Sequence, residues 1–489
     1  MKCEYLSIER LPAWARLNGV SVSGVAFRRL QSDGTDRGSA IIAEGKQDSS
    51  SKDVLLLQIP SDLILSLEAV DTYAKSDRYL REVLEAVGGF GKTARGAILI
   101  FLLIQLTYSS PDFANESQRI GLSNPWTEYV KFMPQSIPLP TTYTDEELEL
   151  LRGTSLASAV DAKLASLDRE FTHLRESTDR ISWCHKYWWG EETGQLTLDD
   201  WKYIDAVYRS RMVDLPGIGH SMVPCVDMAN HAPGSAAKAR YDKDADGNAV
   251  LELRGGRELS PNEEVTISYG DDKPALEMIF SYGFLESERT DANSLVLDVD
   301  IPDDDPLKIA KKLYCKKPPG MRLNTAPGSE TTTWDSSLVW WACVNEEDGL
   351  DFKVLQTTTG EKELRAVWKD EELEDPDDLA SLISIDPLWD VIQLRAVVLI
   401  LERLETQLQT LRTTEKAIGE IRREEKEDNL RPTFRPEIFR TVSKLQRLEG
   451  DLLERGIEDL TRRRQELLTS EVVISYLSQQ AAEMGEDFS

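Results

Sequence analysis

The sequence is poor in cysteine, histidine and positive charge, and it has no long hydrophobic run. Its five cysteines, Cys3, Cys184, Cys225, Cys315 and Cys343, fall nowhere in a Cys-x-x-Cys spacing among 489 residues. That excludes a disulfide scaffold and a zinc cluster of ordinary spacing, and it fits a reducing compartment. Lysine and arginine total 57 against 86 aspartates and glutamates, for a net charge of −29. Duplex nucleic acid demands clustered positive charge to neutralise phosphate, so no nucleic-acid partner is expected. An acidic field instead accelerates the approach of basic partners. The longest apolar run, Ala97–Leu106, falls well short of the roughly 20 residues that cross a bilayer. It predicts a buried core helix and no membrane partner. Met1 to Val20 is interrupted by Glu4, Glu9, Arg10 and Arg16, unlike the apolar stretch of a signal peptide. A soluble chain of the cytoplasm or nucleus is the expectation.

What is present suffices for a sizeable core. Hydrophobic residues make up 40% of the chain, and its length suggests two to four domains. Short apolar pieces bounded by glycine and polar residues at 19–27, 39–45 and 54–60 predict strands. From Tyr79 to about Tyr208 the period becomes helical, with Leu80, Val83, Leu84 and Val87 on one face. Thr144 followed three residues later by Glu147 predicts a capped helix start, and further helices are expected over 156–174 and 198–207. Turn-rich strand signals return at 248–253 and 264–268, whereas 302–385 reads as loops and a domain boundary. Two amphipathic stripes, Val391 to Leu411 and Ile438 to Leu460, predict long C-terminal helices. The prolines of Arg431-Pro432 and Arg435-Pro436 interrupt them.

Several motifs weaken when their chemistry is tested. Gly88-Gly-Phe-Gly-Lys-Thr93 lacks a glycine six positions before Lys92 and a preceding strand, so it reads as a helix junction rather than a phosphate loop. Asp242-x-Asp244-x-Asp246-Gly247 opens like a calcium loop, but its twelfth position is Leu253 where a bidentate glutamate is needed. A solvated turn is the better reading, and no metal is expected. Trp188-Trp189 and Trp340-Trp341 lack interleaved basic residues and are assigned to packing.

The informative stretch is 222–285. Val226-Asp-Met-Ala-Asn-His231 ends an apolar segment, a polar hairpin follows, and Ser268-Tyr269-Gly270 and Ser281-Tyr282-Gly283-Phe284 come after it. In this order the segments resemble the catalytic half of a SET domain, and specifically the branch of the Rubisco large-subunit methyltransferase (Rubisco LSMT). Asp36-Arg37-Gly38-Ser39-Ala40 is similar to that family's cofactor-contacting turn. Pro125-Trp-Thr-Glu-Tyr-Val, Pro138-Leu-Pro, Glu146-Glu-Leu and Gly153-Thr-Ser-Leu156 are similar to its helical insertion. Three departures stand out. Ala40 replaces a second glycine, Leu215 falls where the family has a second arginine, and no Cys-x-Cys tail follows Phe284.

The resemblance implies an α+β fold: a β-rich SET core split by a helical insertion, then an all-helical C-terminal substrate-binding domain. The corresponding segments are 18–78 and 216–290 for the core, 79–215 for the insertion, 291–385 for an irregular linker, and 386–485 for the helical domain. It also implies a protein-lysine N-methyltransferase using S-adenosylmethionine, acting on a non-histone basic protein with an accessible lysine, such as a ribosomal protein. Cofactor contacts would come from Arg37, Gly38, Ser39, Asn230, His231 and Tyr269, and substrate contacts from Arg211, Asp227, Tyr241 and Tyr282. Tyr269 and Tyr282 would be catalytic, lining an apolar channel that favours the neutral amine. The same architecture supports two alternatives: protein-histidine methylation, and a non-catalytic interaction module.

Overall fold

A computed structural model describes residues 4–32, 35–48, 53–114, 124–190, 195–315, 320–325, 331–356, 362–427 and 431–486. They form two compact units. The first comprises 1–143, 159–273 and 277–287; the second comprises 144–158, 274–276 and 288–489.

In the first unit, β1 (Val25–Ser32) and β2 (Thr35–Ala43) form an antiparallel hairpin with a register shift between Leu30 and Gln31. Strand β3 (Val54–Ile59) lies between the short strand Ser21–Val22 and the later hairpin strands. Helix α1 (Ala94–Ser109) carries the ten-residue apolar run. It is apolar on every face and buried from Gly96 through Thr107, as expected of a helix with no solvent side. Phe90–Lys92 is a short 3₁₀ turn and Thr93 caps α1 by accepting the Gly96 N–H, so the glycine-rich motif is a helix junction. Helix α2 (Leu198–Arg211) starts at a capping box in which Thr197 and Asp200 satisfy each other's backbone amides. Its Asp205 side chain is buried against Arg95, Lys163 and Arg209, a paired cluster that makes an interior carboxylate tolerable. Trp188 and Trp189 sit in this core, as does Trp126.

Further elements frame the site. Strand β4 (Asn230–His231) runs parallel to β7 (Thr266–Ile267), whereas β5 (Ala239–Lys243) and β6 (Ala249–Leu253) form a hairpin that continues the sheet of β3. The hairpin's turn is the calcium-like stretch. Asp244 Oδ1 is spent on the amides of Asp246 and Asn248, which makes it a closed turn. Helix α3 (Ala275–Tyr282) follows.

The second unit pairs helices with strands. Helices α4 (Trp389–Glu427) and α5 (Pro436–Leu468) pack on each other; Val391, Leu401, Leu404 and Leu411 of the first expected stripe are buried while Val398 is exposed, and Val442, Leu445, Leu452 and Leu460 of the second are buried. Helix α6 (Glu471–Glu486) adds to them. The chain leaves the helix at Glu427 and re-enters at Pro436, where the prolines predicted a break. The expectation for 291–385 needs correction: it is not irregular. It holds the sheet of Ser294–Leu297, Met321–Thr325 and Thr332–Asp335, a second sheet of Leu350–Gln356, Lys362–Trp368 and Glu371–Glu372, and helices Lys308–Cys315 and Ser337–Cys343. Alternation is present at Met321-Arg-Leu-Asn and Leu350-Asp-Phe-Lys-Val, but the runs lie among Pro318-Pro319, a Ser/Thr-rich stretch and an acidic run, and those turn and loop signals outweighed it. Trp341 is buried in this region.

Residues 144–158 belong to this second unit. The Thr144–Glu147 capping box forms as expected, and Glu147 also binds Arg435. Gln446 and Gln407 donate to the carbonyls of Leu150 and Gly153, and Glu449 accepts from the Ser155 amide and hydroxyl. Burial pushes the Glu449 carboxyl up to about 7 against the pull of those two bonds. Among the described residues no helix is long and apolar enough to cross a membrane.

Candidate active site

The parallel pairing of β4 with β7 creates the site. It sets Asn230 opposite Thr266 and His231 opposite Ile267, so Tyr269, two residues past the end of β7, lands beside His231. A bridge between Ile42 and Glu264 brings β2 alongside. Asn230 Nδ2 then donates to Glu264 Oε1 at 2.7 Å and to the Ser39 carbonyl at 3.4 Å. Among the described residues Asn230 Oδ1 takes no hydrogen bond. Gly38 adopts φ +81° at the β1–β2 irregularity, and the space where a Cβ would stand is open. The sequence reading expected a turn here. The structure shows a bulged strand, where glycine supplies the left-handed conformation at no steric cost. The side chain of Arg37 lies outside the described residues.

Tyr269 is tethered at both ends to one short segment. Its amide donates to His231 Nδ1 at 3.0 Å, and its hydroxyl donates to the Ala229 carbonyl at 2.8 Å. Burial pushes its phenol well up from the ordinary value, with Arg211 opposing, so it stays protonated. Tyr282, the last residue of α3, packs against it with ring centroids 4.6 Å apart. Its phenol rises to about 12 through burial first, then the charges of Glu277 and Tyr241. Phe284 completes the wall, 6.1 Å from the His231 ring and 6.4 Å from Tyr282. Gly283 between them is required. Its φ is +81°, and a Cβ there would lie 2.7 Å from the Pro138 carbonyl oxygen.

His231 is held from two sides. Its side chain is 1% exposed, and Nε2 meets Glu286 Oε1 at 3.3 Å while Nδ1 accepts the Tyr269 amide. Burial lowers its basicity. Glu286, the Ile267 carbonyl and Asp271 pull the other way and are outweighed, so the ring is neutral. Arg211 and Asp227 were expected to face a substrate. The structure joins them to each other: Nη1 of Arg211 donates to the Asp227 carbonyl at 2.8 Å and to its carboxylate at 3.3 Å. The Asp227 side chain is 1% exposed and also accepts from the Tyr129 hydroxyl, which in turn accepts the Cys225 amide at 2.8 Å. Burial raises the Asp227 carboxyl despite both partners. This network fixes the segment leading into Asn230. Tyr241, half-buried on β5, stands near enough to Tyr282 to shift its phenol.

Sequence reasoning missed Glu264, Glu286 and Tyr129. Tyr129 lies in the Pro125-Trp-Thr-Glu-Tyr wording that signalled the insertion, but nothing in its spacing says that it reaches Asp227. Lys273 was also missed. It pairs with Glu277 and places its ammonium 5.9 Å from the Tyr282 ring centre. No cluster of three or more His, Cys, Asp or Glu suited to a metal occurs among the described residues.

No family model matches the chain. It is 26% identical over 454 residues to the SET domain-containing protein 8 of Schizosaccharomyces pombe, covering 91% of this chain and 94% of that protein. It is 28% identical over 192 residues to the [fructose-bisphosphate aldolase]-lysine N-methyltransferase of Arabidopsis thaliana, 37% of each chain. A weaker likeness, 20% over 296 residues, joins it to the actin-histidine N-methyltransferase of Gallus gallus, with 59% of this chain and 44% of that one covered. In fold it matches a crystal structure of the SET domain of LSMT bound to lysine and AdoHcy. The TM-score is 0.63 at 17% identity, covering 94% of this chain and 92% of the other. Over most of its length this chain is thus similar in sequence to a SET domain-containing protein, over about a third of it to a lysine N-methyltransferase, and in fold to Rubisco LSMT.

Proposed function

We propose that this protein is a protein-lysine N-methyltransferase using S-adenosylmethionine, built as a SET core with a helical insertion and a helical substrate-binding domain. The observation that carries this reading is the tethering of Tyr269 between Ala229 and His231, against the Tyr282 ring and beside Asn230. S-adenosylmethionine supplies an electrophilic methyl group on a sulfonium.

The residues present fit such a ligand. Asn230 Oδ1, with the Glu264 carboxylate at its side, suits an α-ammonium, and the Ser39 and Gly38 backbone borders the same space. Arg37 and the His231 backbone complete the cofactor side. Displacement at a methyl carbon needs alignment more than bond-making help from the protein, so the chain's work is positional. Because the Tyr269 O–H is spent on Ala229, its oxygen lone pairs remain to receive weak C–H contacts from the methyl and to orient the amine. The phenols of Tyr269 and Tyr282 stay neutral, so neither provides a counter-ion that would hold the lysine charged. Their rings, with Phe284 and Tyr241, desolvate the amine and favour the form that attacks. Arg211 and Asp227 serve the substrate side by holding its wall.

The net charge of −29 supports a basic protein substrate, a ribosomal protein among the candidates. The likeness to an actin-histidine N-methyltransferase supports a second reading, methylation of histidine. One experiment separates them. The full chain is incubated with methyl-labelled S-adenosylmethionine and a cell extract, and labelled residues are identified by mass spectrometry. Methyl-lysine is expected. Methyl-histidine alone would install the second reading, and no labelled protein would leave an interaction module.

A further inference from the structure

We propose that Glu286 is a positioning residue for Tyr269, acting through the His231 imidazole; this rests on the methyltransferase reading above. Strand β7 ends at Ile267, so the Tyr269 amide has no ladder partner, and an orphaned buried N–H is costly. His231 Nδ1 takes it at 3.0 Å. A ring nitrogen that accepts a hydrogen bond is bare, so in the neutral ring the proton sits on Nε2. That N–H in turn needs an acceptor in a place where the imidazole is 1% exposed. Glu286 Oε1, on a side chain 12% exposed, is 3.3 Å away.

Glu286 thereby selects the tautomer that holds the Tyr269 backbone. The other end of Tyr269 bonds to Ala229, two residues before His231 in the same segment, so a loose imidazole would free the ring to tilt about its hydroxyl anchor. The His231 ring lies 5.2 Å from Tyr269 and 6.1 Å from Phe284, which makes it the spacer of the aromatic wall. Glu286 also follows Tyr282 by four residues, so one carboxylate ties the segment carrying the second tyrosine to the strand carrying Asn230. Methyl transfer is sensitive to small misplacements, and this tether sets the angle of the phenol that receives the methyl.

The test uses the full chain with Glu286→Gln and Glu286→Leu. Glutamine keeps an acceptor for Nε2–H, whereas leucine keeps bulk and removes it. With ¹⁵N-labelled histidine and only four histidines in the chain, long-range correlation spectra report the tautomer directly. Wild type and Glu286→Gln are expected to show His231 protonated at Nε2, and Glu286→Leu to show a mixture. In parallel, kcat of Glu286→Leu should fall on the order of tenfold with KM for the cofactor within about twofold, while Glu286→Gln stays within about threefold of wild type. An unchanged tautomer and kcat in Glu286→Leu, or a glutamine variant as impaired as the leucine one, overturns the proposal. The tautomer measurement needs no turnover. A wild-type protein that transfers no methyl would therefore count against the proposed function, while the spectra would still decide the tether.

Discussion

The two units hold their polar interiors in different ways. In the first, the site stands on strands of two residues, β4 and β7, and its geometry comes from side chains bonding backbone: His231 to the Tyr269 amide, Tyr129 to the Cys225 amide, Arg211 to the Asp227 carbonyl. In the second, long helices supply the frame through apolar stripes, and polar groups such as Gln446, Gln407 and Glu449 fasten one segment, 144–158, onto that frame. A site with little regular structure depends on each bond for its angles. A helical frame depends on summed burial, and its polar groups tune stability. Polar substitutions in the first unit should therefore change activity more than stability, and those in the second the reverse.

Tyr269→Phe tests the first half of that contrast most severely. Losing one hydroxyl keeps the ring and its packing, and turnover is expected to fall about tenfold to a thousandfold, with a melting temperature within a few degrees of wild type. Turnover within twofold would break the assignment.

Glu449→Gln tests the second half. The buried carboxyl is raised from 4.5 to about 7, so the folded state favours its protonated form. Its stabilising contribution is full below the ordinary carboxylate range and is lost as pH rises through about 7, since the folded chain then binds the extra proton. Glutamine removes that dependence. Between about pH 5 and pH 8, wild type should lose up to ~3 kcal/mol of stability relative to the variant, read by urea unfolding at both pH values, with methyl transfer at the lower pH unchanged. Equal pH profiles would mean that Glu449 ionises freely.

Asn230→Ala returns to the site. One hydrogen bond to a charged group is worth roughly 1.5–3 kcal/mol, so cofactor affinity measured by calorimetry should fall about ten- to a hundredfold while the fold persists. The smallest effect is expected at Arg412, half-exposed on α4 and bonded to Glu415 and Glu454. Arg412→Ala should cost under about 1 kcal/mol of stability and leave activity unaltered, because exposed ion pairs contribute little. A larger loss would show that charged networks, and not apolar stripes, hold the helices.

Much of this contrast could be read along the chain. The helical stripes at 391–411 and 438–460 repeat every three or four residues, and such repetition survives any tertiary context. The cap at Thr144 uses side chains within three residues of the amides it satisfies. Asn230, His231, Tyr269 and Tyr282 were legible as an ordered set of dipeptides, although no period marks strands as short as β4 and β7. The sheets between 294 and 372 left only brief alternation, at 321–324 and 350–354, among strong turn signals, and were read as loops.

Sequence alone determined the long C-terminal helices by local spacing, and through its ordered motifs it pointed to the α+β class and to Asn230, His231, Tyr269 and Tyr282, because each of these signals sits in a short contiguous stretch of chain. Tertiary structure alone decided that Glu286 would meet His231 across 55 positions, that Asp227 would turn to Arg211 and Tyr129 instead of facing outward, and that residues 144–158 would join the C-terminal helices. Those contacts follow from a parallel strand pairing and from close packing between distant segments, whose partners are chosen by burial and shape and not by distance along the chain.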